Sequence, residues 1–151
     1  MEHEIRNRPA FANLLMRLTR GDRLIAEAGA MASMSHAITV RPRFAGGFLM
    51  AILRKLFGGE SLFMNEISTE SDGELVLTQP TPGDMECLEL NGQGLFLQPG
   101  AFIACDASIN LSLGWAGIRS FLAREGLFRL KVSGQGRVWF GAYGGILAKD
   151  I

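Results

Sequence analysis

At 151 residues, with 48% hydrophobic and 20% charged residues, the chain is long enough for one domain with a real core, and its composition excludes a disordered chain. Fifteen Lys and Arg balance fifteen Asp and Glu, so bulk charge gives no reason to expect nucleic acid as a partner. Two cysteines and two histidines exclude a disulfide scaffold and a Cys/His-rich zinc site.

The first ten residues read as an N-terminal arm. Met1-Glu2-His3-Glu4-Ile5-Arg6-Asn7-Arg8 carries acid where a signal peptide needs a basic end and then an apolar run. The longest apolar run, Phe48 to Leu53, is far short of the roughly 20 residues that span a bilayer. The expectation is a cytoplasmic protein, peripheral at a membrane if it meets one at all.

Further along, apolar residues recur with period two. Ile38 and Val40 flank Thr39, and Leu75 and Leu77 flank Val76. From Ile103 the odd positions Ile103, Cys105, Ala107, Ile109, Leu111 and Leu113 are apolar, with mostly polar residues between them, predicting one half-buried strand. Phe128, Leu130 and Val132 alternate with Arg129 and Lys131; Val138, Phe140 and Ala142 face one way, with Trp139 and Tyr143 opposite or near a bend. Glycine-containing steps such as Arg20-Gly21-Asp22, Pro82-Gly83-Asp84, Asn91-Gly92, Pro99-Gly100 and Gly134-Gln135-Gly136 predict turns between these runs. The fold class is all-β, a sandwich or roll with one or two short helices, and its sheet edges call for oligomerisation.

The chain also resembles itself. A shift of 79 residues aligns Leu18-Thr19-Arg20-Gly21 with Leu97-Gln98-Pro99-Gly100 and sets Leu24 on Ile103, Glu27 on Asp106 and Ala28 on Ala107. A shift of 65 aligns Glu60-Ser61-Leu62-Phe63 with Glu125-Gly126-Leu127-Phe128, and a shift of 63 aligns Gly73–Leu77 with Gly136–Phe140. Three ordered matches predict an internal duplication, with β-units over 11–90 and 91–151.

Each unit carries an apolar segment punctuated by cations. In the first it runs from Gly46 to Gly59. Read as a helix, Leu49, Ile52, Leu53 and Leu56 form an i, i+3, i+4, i+7 stripe, with Arg54 and Lys55 at one edge. Phe48, Leu49, Ile52, Leu53, Arg54, Lys55, Leu56 and Phe57 are the candidate contact residues for a membrane surface or a partner; burial against the roll is the plainer reading. Trp115 and Ile118, with Phe121 and Leu122, form the shorter counterpart in the second unit. Charge is segregated as well. Residues 1–57 hold nine Lys/Arg against four Asp/Glu, residues 58–110 none against nine, and residues 111–151 six against two. Unlike patches of this kind favour head-to-tail contact between subunits if they stay apart in space.

Leu18–Met31 closely resembles the opening signature of the mitochondrial-biogenesis family named for altered inheritance of mitochondria, which bacteria carry as a domain of unknown function. Gly58–Met64 resembles its second signature. Arg124–Phe128, followed by Gly134–Trp139, resembles its third. The likeness spans residues 11–151. It implies a compact double-stranded β-helix like that of the tryptophan RNA-binding attenuator protein, assembled as a homo-oligomer, a trimer or a ring. It implies no established enzyme activity, no catalytic residues and, in mitochondria, a link with inner-membrane organisation. Arg20 stands where the family often has proline. Family members run on past a Gly-Ile-Leu strand into a further β-unit, so an unpaired edge is expected where this chain stops at Ile151.

Chemistry finds little purchase. No Gly-x-Ser-x-Gly elbow surrounds Ser61, and His3 and His36 lie in unrelated contexts. Cys87 and Cys105 read as small packed hydrophobes. Neither a P-loop nor a dinucleotide fingerprint occurs, and no cofactor or metal is expected. The reading is a non-enzymatic oligomeric scaffold or binding module, not a nucleic-acid binder. The alternative is a small-ligand-binding protein or an enzyme with a pocket between units or subunits, where Glu27, Asp106 or Glu125 would converge.

Overall fold

The computed structural model describes residues 1–44, 63–115 and 128–149. Among them run eleven strands: β1 (Glu2–Arg6), β2 (Asn13–Leu18), β3 (Arg23–Glu27), β4 (Met31–Met34), β5 (Ile38–Phe44), β6 (Phe63–Thr69), β7 (Gly73–Thr78), β8 (Gly83–Leu97), β9 (Phe102–Asp106), β10 (Asn110–Trp115) and β11 (Phe128–Tyr143). A single 3₁₀ turn, Pro99–Ala101, is the only helical element among the described residues, and the helix expected over the Leu49–Leu56 stripe lies outside them. The fold is all-β.

Two sheets make the roll. One has the order β1-β2-β7-β4. The other curls and runs β10-β11-β9-β3-β6-β5, with β8 paired along β11. All the strand pairs are antiparallel. The curled sheet reads the same outward from its centre: β3 lies against β9, then β6 and β11 follow on either side, then β5 and β10. The two flanking turns also recur 79 residues apart. Asp22 N donates to Thr19 O and Ala101 N to Gln98 O, each at 3.0 Å; Ala30 N donates to Glu27 O at 3.2 Å and Ile109 N to Asp106 O at 3.0 Å. β8 passes without a break through residues 90 and 91.

Alternation places the core. Leu14, Met16 and Leu18 of β2 and Leu75 and Leu77 of β7 turn one face of the smaller sheet inward, where they meet Leu24, Ala26, Ile67, Ala104 and Trp139 of the curled sheet. A second cluster lies in the curl, built from Ile25, Met64, Leu90, Leu97, Phe102, Cys105, Leu130, Val132 and Val138. Central strands therefore bury both faces. Ala104 and Cys105 are both fully buried, as are Val138 and Trp139, each neighbour serving a different cluster.

Three expectations change against this architecture. The strand read from Ile103 to Leu113 is two strands, because the chain turns at Asp106–Ile109 and the turn residues Ala107 and Ser108 happen to continue the alternation. Its first half is buried on both faces rather than one. Asn91-Gly92 and Gly134-Gln135-Gly136 are not hairpin turns. They lie inside β8 and β11 at a register shift between Ser133 and Gln135, where Gly92 (φ 99°) and Gly134 (φ 122°) provide the left-handed backbone of a bulge. Pro82-Gly83-Asp84 opens β8 instead of closing a turn.

Gly83 has a steric duty. A Cβ there would drive into the backbone carbonyl of Ala142 and stand 2.7 Å from Gln79 Nε2. Backbone cannot step aside, so Gly83→Ala should cost about 3 kcal/mol or block folding. At Gly94 an added Cβ meets nothing nearer than 3.7 Å, and Gly94→Ala should cost under about 1 kcal/mol. Urea midpoints of the two variants against wild type measure the contrast.

Candidate functional site

The residues singled out from the sequence fall mainly beyond the described parts of the chain. Phe48, Leu49, Ile52, Leu53, Arg54, Lys55, Leu56, Phe57 and Ile118 lie outside the described residues, as do Glu125, Phe121 and Leu122. The fold nevertheless fixes where those segments are tied. Residues 45–62 join β5 to β6, whose pairing ends at Phe44 opposite Phe63. Residues 116–127 join β10 to β11, whose pairing ends at Trp115 opposite Phe128. Trp115 is thus the last residue of a strand rather than the start of a helix, because its backbone continues the ladder with β11. Successive antiparallel pairing from β6 through β3 and β9 to β11 puts the two connections at opposite ends of these strands.

Several ionisable side chains of the described residues pair with one another. Asp106, at the end of β9, receives Arg137 of β11 as a fork, with Nε on Oδ2 and Nη2 on Oδ1 at 3.1 Å each, and the Arg137 backbone N–H adds a third bond at 2.8 Å. Such a bidentate pair fixes both planes. Arg137 also lies over the Trp139 ring at 5.2 Å and donates to the Met1 carbonyl at 3.5 Å. His3 of β1 meets Trp139 edge-on, with ring centroids 5.2 Å apart. Its pKa lies below the ordinary 6.5, first because burial disfavours the cation, then because of the Arg137 charge, with Asp106 opposing. One edge of the roll is therefore closed by a short chain of contacts from β1 through Trp139 and Arg137 to β9.

A second fork holds the segment before β2. Arg8 Nε and Nη2 reach Asp84 at 2.8 and 3.0 Å, and Nη2 also reaches Glu86 at 2.9 Å. The Arg8 hydrogen bond holds the Asp84 carboxyl below the usual carboxylate range against the cost of its burial. The Met1 ammonium stands 3.0 Å from Asp22, whose carboxyl stays low because bonds from Thr19 and this ammonium outweigh burial. Arg17 pairs with Glu74 across β2 and β7 at 3.4 Å. In all of these pairs but Met1 with Asp22, the acid comes from a different stretch of sequence from its cation. The linear segregation of charge is thus folded into neutral pairs, and no separate acid and basic faces result from these residues.

Of the suggested pocket acids, the two that lie among the described residues are each engaged elsewhere. Glu27 bends back onto its own turn, accepting from the backbone of Gly29 and Ala30, and its carboxyl is raised, chiefly by burial. Asp106 is taken by Arg137. Cys105 is pushed up to about 12 and Cys87 to about 11, mainly by burial, so both are thiols at neutral pH. Among the described residues no group of three or more His, Cys, Asp or Glu side chains is placed to hold a metal ion, and no helix is long and apolar enough to cross a membrane.

Sheet edges are the groups left open. β1 carries Glu2, Glu4 and Arg6, and β5 carries Arg41-Pro42-Arg43, both of them devices that discourage further strand pairing. β4 is four residues long and bulged between Met31 and Ser33. β10, Asn-Leu-Ser-Leu-Gly-Trp, has no charge at all, and across β11 from it β8 exposes Phe96. Sequence periodicity missed this, because it reports which face is inward and not which strand lacks a neighbour.

A family model described as Mitochondrial biogenesis AIM24 matches residues 3–151. An uncharacterised protein of Streptococcus pyogenes serotype M6 is 30% identical over 137 residues, which is 85% of this chain and 55% of that relative. A crystal structure of a Streptococcus pyogenes protein superposes with a TM-score of 0.73 at 27% identity, covering 95% of this chain and 65% of that one. The chain therefore spans little more than half the length of the curated relative and about two thirds of the solved one.

The His3 cluster gives a pH dependence of known sign. With a folded pKa below 6.5, His3 binds its proton more weakly in the folded chain. Stability from this site is complete above 6.5 and falls as the pH drops below that value, levelling off under the folded pKa. His3→Phe should flatten that part of the profile. Urea midpoints of the two proteins, compared downward from neutral pH, measure it; parallel curves would rule out His3 as the source.

Proposed function

The chain belongs to the Mitochondrial biogenesis AIM24 family, and on that premise we propose that it is a non-enzymatic binding and assembly module, a homo-oligomer that touches a membrane surface or a membrane protein through its apolar-cationic connections. The observation that carries this reading is the placement of those connections. The first apolar-cationic segment, 46–59, falls in the link between the paired strands β5 and β6, and the second, from Trp115 to Arg124, begins on the last residue of β10 and runs into the link to β11. A rigid antiparallel pair is a good stalk for a contact element, since two paired strands position the segment they carry more firmly than a long loop does.

Three features support the remainder. The ionisable groups of the two forks, Arg137 with Asp106 and Arg8 with Asp84 and Glu86, stitch strands together, which leaves them ill-suited to act as acid or base. The uncharged β10 edge favours pairing with a sister subunit. The recurrence of the turns at 19–22 and 27–30 after 79 residues, with the mirrored strand order about β3 and β9, supports descent from two copies of one β-unit. The protein would then work in the cytoplasm or at the membrane face bordering it.

Flotation with liposomes tests the contact. Wild type should rise with the lipid, and Ile118→Asp/Phe121→Asp should stay behind, while light scattering gives both the mass of the same oligomer. Wild type and variant left together at the bottom of the gradient would remove the membrane from this reading, and a monomer mass would remove the assembly.

A further inference from the structure

The solvent face beside β10 continues the same theme in residues that the described structure places. β8 and β10 flank the first half of β11, and the register sets Phe96, Lys131 and Ser112 in one row across the three strands. The next row is Gly94, Ser133 and Asn110, and Arg129 stands opposite Gly114. Leu130 and Val132 point inward to the second core cluster, so Lys131 faces out. Phe96 is 57% exposed, an unusual place for a phenylalanine on a strand whose neighbours Leu95 and Leu97 pack inward. A Cβ on Gly94 would lie 3.7 Å from Lys131 Cε, so the lysine stem crosses the bare backbone of the glycine and its ammonium is carried over the face.

None of these strand residues is acidic, and apart from Phe96 and the two cations their side chains are small. The result is a patch of small side chains from which the Phe96 ring and the Lys131 ammonium project. The hairpin that bears it is one-sided in sequence too: from 110 to 135 the cations Arg119, Arg124, Arg129 and Lys131 meet only Glu125. At the opposite end, the register sets Arg41 of β5 directly across from Glu66 of β6.

From this placement we infer that the outer face of β8, β11 and β10, centred on Phe96 and Lys131, is a docking surface for an anionic lipid bilayer. The ring suits the headgroup boundary, and the snorkelling cation suits lipid phosphate. The inference rests on the membrane reading above and assigns the contact to the β10–β11 end of the molecule.

The probes are vesicles of phosphatidylcholine alone and of phosphatidylcholine with an equal share of phosphatidylglycerol. Wild type should bind the anionic vesicles more tightly, with affinity falling as salt rises. Lys131→Glu should weaken anionic binding about thirtyfold, Lys131→Gln about fivefold, and neither should change the weaker binding to neutral vesicles. Phe96→Ser should weaken both. Thermal midpoints and light scattering confirm that the exposed substitutions leave the fold and assembly in place. Wild type that binds while Lys131→Glu and Phe96→Ser bind equally well would overturn the assignment of this face and leave the membrane reading standing. Wild type that binds neither vesicle would overturn both. Loss of binding in Lys131→Glu on neutral and anionic vesicles alike would mean a partner other than anionic lipid, and would also overturn it.

Discussion

The structure depends on a central antiparallel pair, β3 against β9, that has no solvent face. Leu24 and Ala26 look into the space between the sheets while Ile25 looks into the curl, and Ala104 and Cys105 divide in the same way. Two cores are thus laid back to back on one layer of backbone. Every strand added outward from that pair must offer apolar residues to one or both, and the small side chains Ala26 and Ala104 at the middle let the layers close to native density. The mirrored outward order of strands is the simplest way to serve both cores from a centre of this kind.

Charge has the opposite role to the one its linear distribution suggests. Blocks of one sign along the chain would give a dipolar particle if they remained separate. Instead β9 brings Asp106 beside Arg137, and the start of β8 brings Asp84 and Glu86 beside Arg8. These forks join elements far apart in sequence, and their value lies in geometry, since half-exposed ion pairs add little net stability while fixing the relative position of two strands. The side chains in these forks hold distant elements together.

How far the sequence could be read differs between core and surface. Alternation correctly places Leu75 and Leu77 inside and Val76 less so, and sets Leu130 and Val132 opposite Lys131. It misjudges Ile103–Leu113, since Ala107 and Ser108 obey the period while forming a turn, and since a strand buried on both faces leaves no polar residue to mark its outer side. Glycine steps at 91–92 and 134–136 carry the backbone signal of a turn, but the same left-handed angle serves a bulge, and only the partner strand decides which is made. Of the contact residues named from the sequence, Trp115 alone lies among the described residues, at the end of a strand. Phe96 and Lys131 drew no notice as a pair because nothing local relates two residues 35 positions apart.

By itself the sequence determined the all-β class, the family signatures and the inward residues of the outer strands, because period two and turn chemistry are local properties that any fold must honour. Strand order, the pairing of distant charges, the double burial of β9 and the identity of the unguarded edge were decided only by the tertiary structure. Each of these is a relation between strands, set by which hydrogen-bonding edge and which apolar face is satisfied by a neighbour far away in the chain, and a linear pattern has no term for that neighbour.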